Sequence, residues 1–206
     1  MKSIISILLG LFICLPLAAA DKDKEKFEKT KSKAVMGGRF AQYNLGLMYK
    51  KGQGVEQDFK EAVKWFQKAA DQGDAAAQNN LGVMYQTETG QGVEQDFKKA
   101  VKWFQEAADQ GLANAQSNLG EMYKIGQGVK QDFKEAIRWT QKAADQGDAA
   151  AQYNLGLMYA KGLGVEQDLK EALMWWQKAE ITSFTAGAQC VRADNAATQH
   201  PKEKNI

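Results

Sequence analysis

The nonapeptide GQGVEQDFK at residues 52–60 occurs again at 90–98 and returns as GQGVKQDFK at 126–134 and GLGVEQDLK at 162–170. A chain that carries one segment four times at near-constant spacing has few folds open to it. Each copy is one structural unit, and the copies stack to bury what none can bury alone. Aligning the chain on Ala41-Gln42, Ala77-Gln78, Ala115-Gln116 and Ala151-Gln152 gives offsets of 36, 38 and 36 residues. Leu-Gly and then Met-Tyr follow in every unit, as Leu45-Gly46 and Met48-Tyr49 in the first. The second unit is longer because Gln86-Thr87-Glu88-Thr89 stands where the first has Lys50-Lys51. The added length lies beside the loop, where an insertion costs little.

Each unit reads as two helices. Ala41, Leu45, Met48 and Tyr49 fall at i, i+4, i+7 and i+8, one apolar face of an α-helix. Gly46 lies beside that face. A glycine costs about 1 kcal/mol in a helix interior, so its return in every unit predicts close approach by a neighbouring helix. The second helix starts at Asp58. Asp58 with Glu61 has the form of a capping box, repeated by Asp132 with Glu135 and Asp168 with Glu171. The second unit has Lys99 opposite Asp96 and keeps only the cap. Ala62, Val63, Phe66, Ala69 and Ala70 form the expected buried stripe, with Trp65 at its edge. Gly73 is a left-handed helix stop, and Asp74 caps the next helix.

The glycine-rich segment between the helices admits two roles, a phosphate cradle or a joint. A phosphate loop follows a strand and places Lys-Ser or Lys-Thr before its helix. Here a helix precedes, and Asp58 stands where free amides would be needed. An N-cap aspartate occupies those amides and repels a phosphate. The segment therefore reads as a joint: Gly52 and Gly54 reverse the chain, Val55 anchors it, and Asp58 starts the next helix.

The pattern Ala-x-x-x-Leu-Gly-x-Met-Tyr, then Gly-x-Gly-Val-x-x-Asp, then Ala-x-x-Trp, then Ala-Ala-x-x-Gly resembles the Sel1-like repeats, relatives of the tetratricopeptide repeats. It covers residues 40–179 in four tandem copies. The resemblance implies an all-α fold, a right-handed α-solenoid of four Sel1-like helix-turn-helix repeats with atypical ends. It also implies an adaptor or scaffold for other proteins. The repeats are expected at about 39–74, 75–112, 113–148 and 149–180.

The ends depart from the repeat. Lys2, the apolar run from Ile4 to Leu17 and Ala18-Ala19-Ala20 before Asp21 have the order of a signal peptide, expected to be cleaved after Ala20. Ile13 before Cys14 does not suit a lipid-attachment cysteine. Residues 21–38 carry alternating charges and are expected to form a polar cap ending at Gly37-Gly38. Residues 181–206 read either as a degenerate capping helix near 187–197 or as a loose tail. Trp175, Trp176 and Ile181 would be partly uncovered by a loose tail, and this end is expected to pair two copies as a homodimer.

The chemistry is sparse. The formal charge is +2, and loss of Lys2 leaves +1, which is no footprint for nucleic acid. No second apolar stretch is long enough for a membrane span. One histidine, His200, and one cysteine of the mature chain, Cys190, make no zinc set and no nucleophile-histidine arrangement. Ser-x-x-Lys is missing. The cysteine-rich Sel1-like proteins associated with β-lactams have regularly spaced cysteines, which this chain lacks. Acidic pairs such as Glu56 with Asp58 recur with the joints and read as architecture. We expect no catalytic activity, cofactor or metal.

Binding calls for a face that varies over a constant frame. In related tetratricopeptide arrays the concave wall is lined by first-helix positions between the frame residues. In this chain those are Tyr43 and Leu47, Asn79 and Val83, Ser117 and Glu121, and Tyr153 and Leu157. Phe40 and Lys50, Ala76 and Gln86, Asn114 and Lys124, and Ala150 and Ala160 flank them. The tyrosines and leucines either hold an extended peptide or partner helix, or pack against neighbouring helices. The expected protein is an exported bacterial adaptor, periplasmic or secreted, that binds a protein or peptide on this face. The alternative is a module for cell-wall glycan.

Overall fold

The computed structural model describes residues 21–87 and 93–182. The expected signal peptide, loop residues 88–92 and the tail with Cys190 and His200 lie outside the described residues. Among the described residues the regular structure is nine helices. They are α1 (21–35), α2 (Arg39–Lys51), α3 (Phe59–Asp71), α4 (Ala75–Gln86), α5 (Phe97–Asp109), α6 (Ala113–Ile125), α7 (Phe133–Asp145), α8 (Ala149–Lys161) and α9 (169–182). The chain divides between Gln110 and Gly111 into two compact units. The first holds α1–α5, and the second holds α6–α9.

In the first repeat, α2 buries only part of the face expected from its period: Leu45 and Met48 are buried, while Ala41 and Tyr49 are half-buried and Gln42 and Gly46 take their place in the core. In α2 the buried residues are Gln42, Leu45, Gly46 and Met48. In α3 they are Ala62, Trp65, Phe66, Ala69 and Ala70. Trp65 is thus a core residue, while Val63 is only half-buried, which corrects the stripe expected from the sequence. Indoles at the same place, Trp103, Trp139 and Trp175, are also buried. Lysine ammonium groups lie over all four rings, with Lys68 at 4.2 Å from Trp65, Lys102 at 5.1 Å from Trp103, Lys142 at 4.1 Å from Trp139 and Lys178 at 3.9 Å from Trp175. A lysine stem covers apolar ring surface while its head stays wet, which is how a helix keeps an indole on the outer side of its core.

The helical glycine marks the contact between the two helices of a repeat. A Cβ built on Gly46 would stand 2.6 Å from Cδ1 of Phe66, a ring with no exposed surface. The close approach expected at this glycine is therefore made by α3 of its own repeat. Thr140 fills the ring's place beside Gly120, and Trp176 fills it beside Gly156.

Two hydrogen bonds recur at every joint. Gly52 ends α2 in the left-handed region, at φ 68°. The Asp58 amide then donates to the Tyr49 carbonyl at 3.0 Å, and Gln57 Nε2 donates to the Lys50 carbonyl at 2.8 Å. The same two bonds recur in the other three repeats, with Gln95, Gln131 and Gln167 at 2.8 Å from their carbonyls. Gly54 is left-handed as well, and a Cβ there would collide with the Asp23 carbonyl of α1. The joint is thus a seat for the preceding helix.

The caps form, and the reciprocal half of the box does not. Asp58 Oδ1 accepts from the Glu61 amide at 3.0 Å, and Asp74 Oδ1 accepts from the Ala77 amide at 2.9 Å. The Glu61 carboxylate turns away from the Asp58 amide, which already serves Tyr49. It accepts instead from Lys64 Nζ at 2.9 Å and Trp65 Nε1 at 3.1 Å.

A buried glutamine ties successive elements together. Gln42 Oε1 accepts from Gln72 Nε2 at 2.7 Å, and Gln42 Nε2 donates to the Ala34 carbonyl at 3.2 Å. Gln78 repeats both bonds with Gln110 at 2.7 Å and Ala70 at 3.3 Å. In the second unit Gln116 accepts from Gln146 at 2.7 Å. Gln152 accepts from the Thr182 hydroxyl at 3.0 Å and donates to Ala144 at 3.1 Å. Gln42, Gln78 and Gln152 each join the end of their own repeat to the helix before it, with the amide satisfied away from water.

Candidate functional site

The alternation of frame and variable positions follows from one helical face. Residues three or four apart stand above one another on a helix. Tyr43, Leu47 and Lys50 therefore form a row along α2, beside the buried row of Gln42, Leu45, Gly46 and Met48. The corresponding rows are Asn79 and Val83 on α4, Ser117 and Glu121 on α6, and Tyr153 and Leu157 on α8. Seven of these eight predicted residues are half-buried, and Tyr153 is 54% exposed.

In the first unit, Tyr43 and Leu47 rest on the core formed by Ala62, Phe66, Ala77 and Leu81. The Tyr43 ring centroid lies 5.9 Å from that of Phe66, at a tilt of 44°. The tyrosine thus packs against the core, as one of the two roles weighed from sequence expects, and stays half-exposed. Asn79 and Val83 stand on α4 of the same unit. Lys50 Nζ crosses from α2 to α4 and donates to Asn80 Oδ1 at 3.2 Å. Burial, and then the charge of Lys51, lower the Lys50 pKa below the ordinary lysine value.

In the second unit, Glu121 pairs with Lys124 on α6. Tyr153 stands 6.5 Å from Trp176, ring to ring, and Trp176 Nε1 donates to the Tyr153 carbonyl at 3.2 Å. Leu157 lies one turn further along α8. The structure thus groups Tyr43, Leu47, Asn79 and Val83 in the first unit, and Ser117, Glu121, Tyr153 and Leu157 in the second. Beside them stand Asn80, which sequence reasoning missed, and Trp176, which it named only as part of the end expected to pair two copies. Trp176 occupies the register position of Phe66 and Phe104, which was a usable signal. Asn80 shares its register with Asn44, and nothing in the pattern marks its bond to Lys50.

A cleft of about 350 Å³ in the first unit involves none of the eight residues; Tyr85, Val93, Lys60, Lys99 and Asp96 are among its walls. Its cations and carboxylates are mixed, and Lys99 is paired with Asp96 at 3.3 Å. Among the described residues no three histidine, cysteine or acidic side chains group to hold a metal ion, and no helix is long and apolar enough to cross a membrane.

Residues 39–74, 75–112, 113–148 and 149–180 each match the Sel1 repeat. A protective antigen of uropathogenic Escherichia coli strains, with an SLR fold, superposes with a TM-score of 0.71 at 42% identity, over 75% of this chain and 32% of that one. A Sel1 repeat protein from Oxalobacter formigenes gives 0.69 at 42% identity, over 77% of this chain and 64% of that one. The DAP3-binding cell death enhancer 1 of Rattus norvegicus is 38% identical over 52 residues, 25% of this chain and 10% of that protein. The chain thus spans a tenth of that relative's length and about a third of the antigen's. Sel1 repeat proteins are generally protein-interaction modules, and their scaffold is generally non-catalytic. With four repeats matched across residues 39–180 and the fold shared with both solved structures, the chain is an all-α repeat solenoid and belongs to the Sel1 repeat family.

Proposed function

We propose that this chain is an exported bacterial adaptor that holds a protein or peptide on the variable rows of its first helices, without catalysis. The observation that carries this reading is the division of each first helix into two rows. The frame row of Leu, Gly and Met is buried in all four repeats, while the row beside it is half-exposed or exposed and changes from Tyr and Leu in the first and fourth repeats to Asn and Val in the second and Ser and Glu in the third. A row kept only for packing would repeat with the frame. Rigid aromatic side chains beside polar ones suit an extended segment or a partner helix. The apolar residues Leu169, Leu173 and Ile181 on α9 are exposed, and the reading includes pairing of two copies there.

The test is a crosslinked capture from the cell envelope, with the mature chain beside its Tyr43→Ala/Tyr153→Ala variant. We expect wild type to retain a protein that the variant loses, with helicity unchanged. Sedimentation of the same preparations reports whether two copies pair. Glycan binding is favoured by one observation, the exposed Tyr153 ring beside Trp176, since paired rings can stack on a sugar. Sedimentation on cell wall with no protein lost from the variant would replace the adaptor reading with that one. Loss of helicity in the variant would show that the tyrosines are there for packing.

A further inference from the structure

The rows of the first and third repeats differ at two linked positions, and the difference exposes a charge. In the third repeat Lys124 stands one turn after Glu121 and forms an ion pair with it. In the first repeat the corresponding residues are Lys50 and Leu47. Leucine replaces the carboxylate, so the cation has lost the partner that its counterpart keeps. The second and fourth repeats have Gln86 and Ala160 at this position and carry no charge there.

Lys50 is nevertheless held in place. Its ammonium donates to Asn80 Oδ1 at 3.2 Å, and Asn80 Nδ2 donates to the Ala76 carbonyl at 2.9 Å. The second bond fixes the amide, so that its oxygen faces the lysine. An ammonium has three N–H donors, and the neutral amide takes one. Burial disfavours the Lys50 charge, and Lys51, which has the same sign, adds to that. Among the described residues no carboxylate pairs with Lys50, and a half-buried cation beside another cation is a costly arrangement that an incoming anion relieves. Leu47 and Tyr43 offer apolar surface within two turns of it.

We infer that Lys50 is an anion-docking residue, placed to take a carboxylate from an acidic, partly apolar segment of the protein ligand, with Leu47 and Tyr43 receiving neighbouring apolar side chains. This rests on the reading of the first-helix rows as the binding face. The carboxylate comes either from an aspartate or glutamate side chain or from a chain terminus.

The measurement is NMR of the lysine side-chain Cε and Nζ resonances in the full mature chain. Sodium acetate is the first probe, and sodium chloride at equal ionic strength is its control. Lys50 should shift saturably with acetate alone, while Lys51 drifts linearly with both salts. Lys50→Met keeps the aliphatic stem, so helicity should be preserved while the acetate response of the Asn80 side-chain amide disappears. Three peptides follow: acetyl-Leu-Asp-Leu-Tyr-amide, acetyl-Leu-Ser-Leu-Tyr with a free carboxyl end, and acetyl-Leu-Asn-Leu-Tyr-amide. At least one of the two carboxylate peptides should bind about tenfold or more tighter than the asparagine control, and Lys50→Met should abolish the difference. The one that does so identifies the source of the carboxylate. A Lys50 response to acetate no different from that of Lys51 overturns the inference, as does an asparagine peptide that binds as well as both others. Capture lost in Tyr43→Ala/Tyr153→Ala but kept in Lys50→Met removes this inference and leaves the face intact. Capture kept in both removes the reading beneath it.

Discussion

A carboxylate has two oxygens, and the first and third repeats use them differently. Glu61 gives one oxygen to Lys64 and the other to the Trp65 indole. Glu135 stands at the same position, but one oxygen receives both Nε and Nη2 of Arg138, at 3.1 and 2.6 Å. Trp139 is 3% exposed, and its Nε1 has no partner. Exchanging a lysine for the fork of an arginine thus redirects a carboxylate and leaves an indole unpaired. A buried donor without an acceptor costs about 1–3 kcal/mol, and an exposed ion pair contributes about 0–1 kcal/mol. Glu61→Ala should therefore lower stability by about 1–3 kcal/mol, because it leaves the Trp65 donor unpaired. Glu135→Ala should cost less than about 1 kcal/mol, because Trp139 has nothing to lose. Urea unfolding midpoints of the two variants compare them directly. Equal losses would show that the indole bond does not matter. The glutamates were legible in the sequence as cap residues. Their true partners were not, because the choice depends on Lys64 or Arg138 three residues on and on an indole that the core draws inward.

At the scale of the element, the helices follow from period and punctuation. Leu45 and Met48 announced a buried row, Asp58 and Asp74 announced caps, and Gly73 announced a stop at φ 80°. These signals are local, and a linear pattern carries them. The glutamine tie is different. Gln42 and Gln72 stand 30 residues apart and meet at 2.7 Å through their side-chain amides. In sequence, Gln42 was one half of a recurring letter pair. Its role needs the second helix folded back against the first, and the preceding helix beside both. Gln78 is buried and bonded to Gln110, Ala70 and Glu106. Gln78→Ala should cost about 1–3 kcal/mol, since it strips partners from buried groups at once. Gln67→Ala, on the exposed side of α3, should cost less than about 0.5 kcal/mol. Denaturant unfolding followed by helical circular dichroism makes the comparison. A Gln78 variant as stable as the Gln67 variant would demote the tie to a consequence of packing.

At the scale of the whole molecule, repetition separates frame from content. Residues that recur, such as Leu45, Leu81, Leu119 and Leu155, are buried without exposed surface, and four copies of them make the fold legible without a structure. Residues that do not recur carry whatever is particular to this protein, and one chain offers no pattern against which to judge them. That is why helix pairs could be read from spacing while Asn80, and the bonds made by Lys50 and Trp176, had to be seen in place. The account stands on the half-exposed rows being the surface a ligand covers. Hydroxyl-radical footprinting of the mature chain, alone and with its captured protein, tests this most directly. We predict protection at Tyr43, Leu47, Tyr153 and Leu157, with the exposed Leu169 and Leu173 of α9 unchanged by the ligand. Protection confined to α9, or to the outer residues of α3, α5 and α7, with the four row residues as reactive as before, would contradict it.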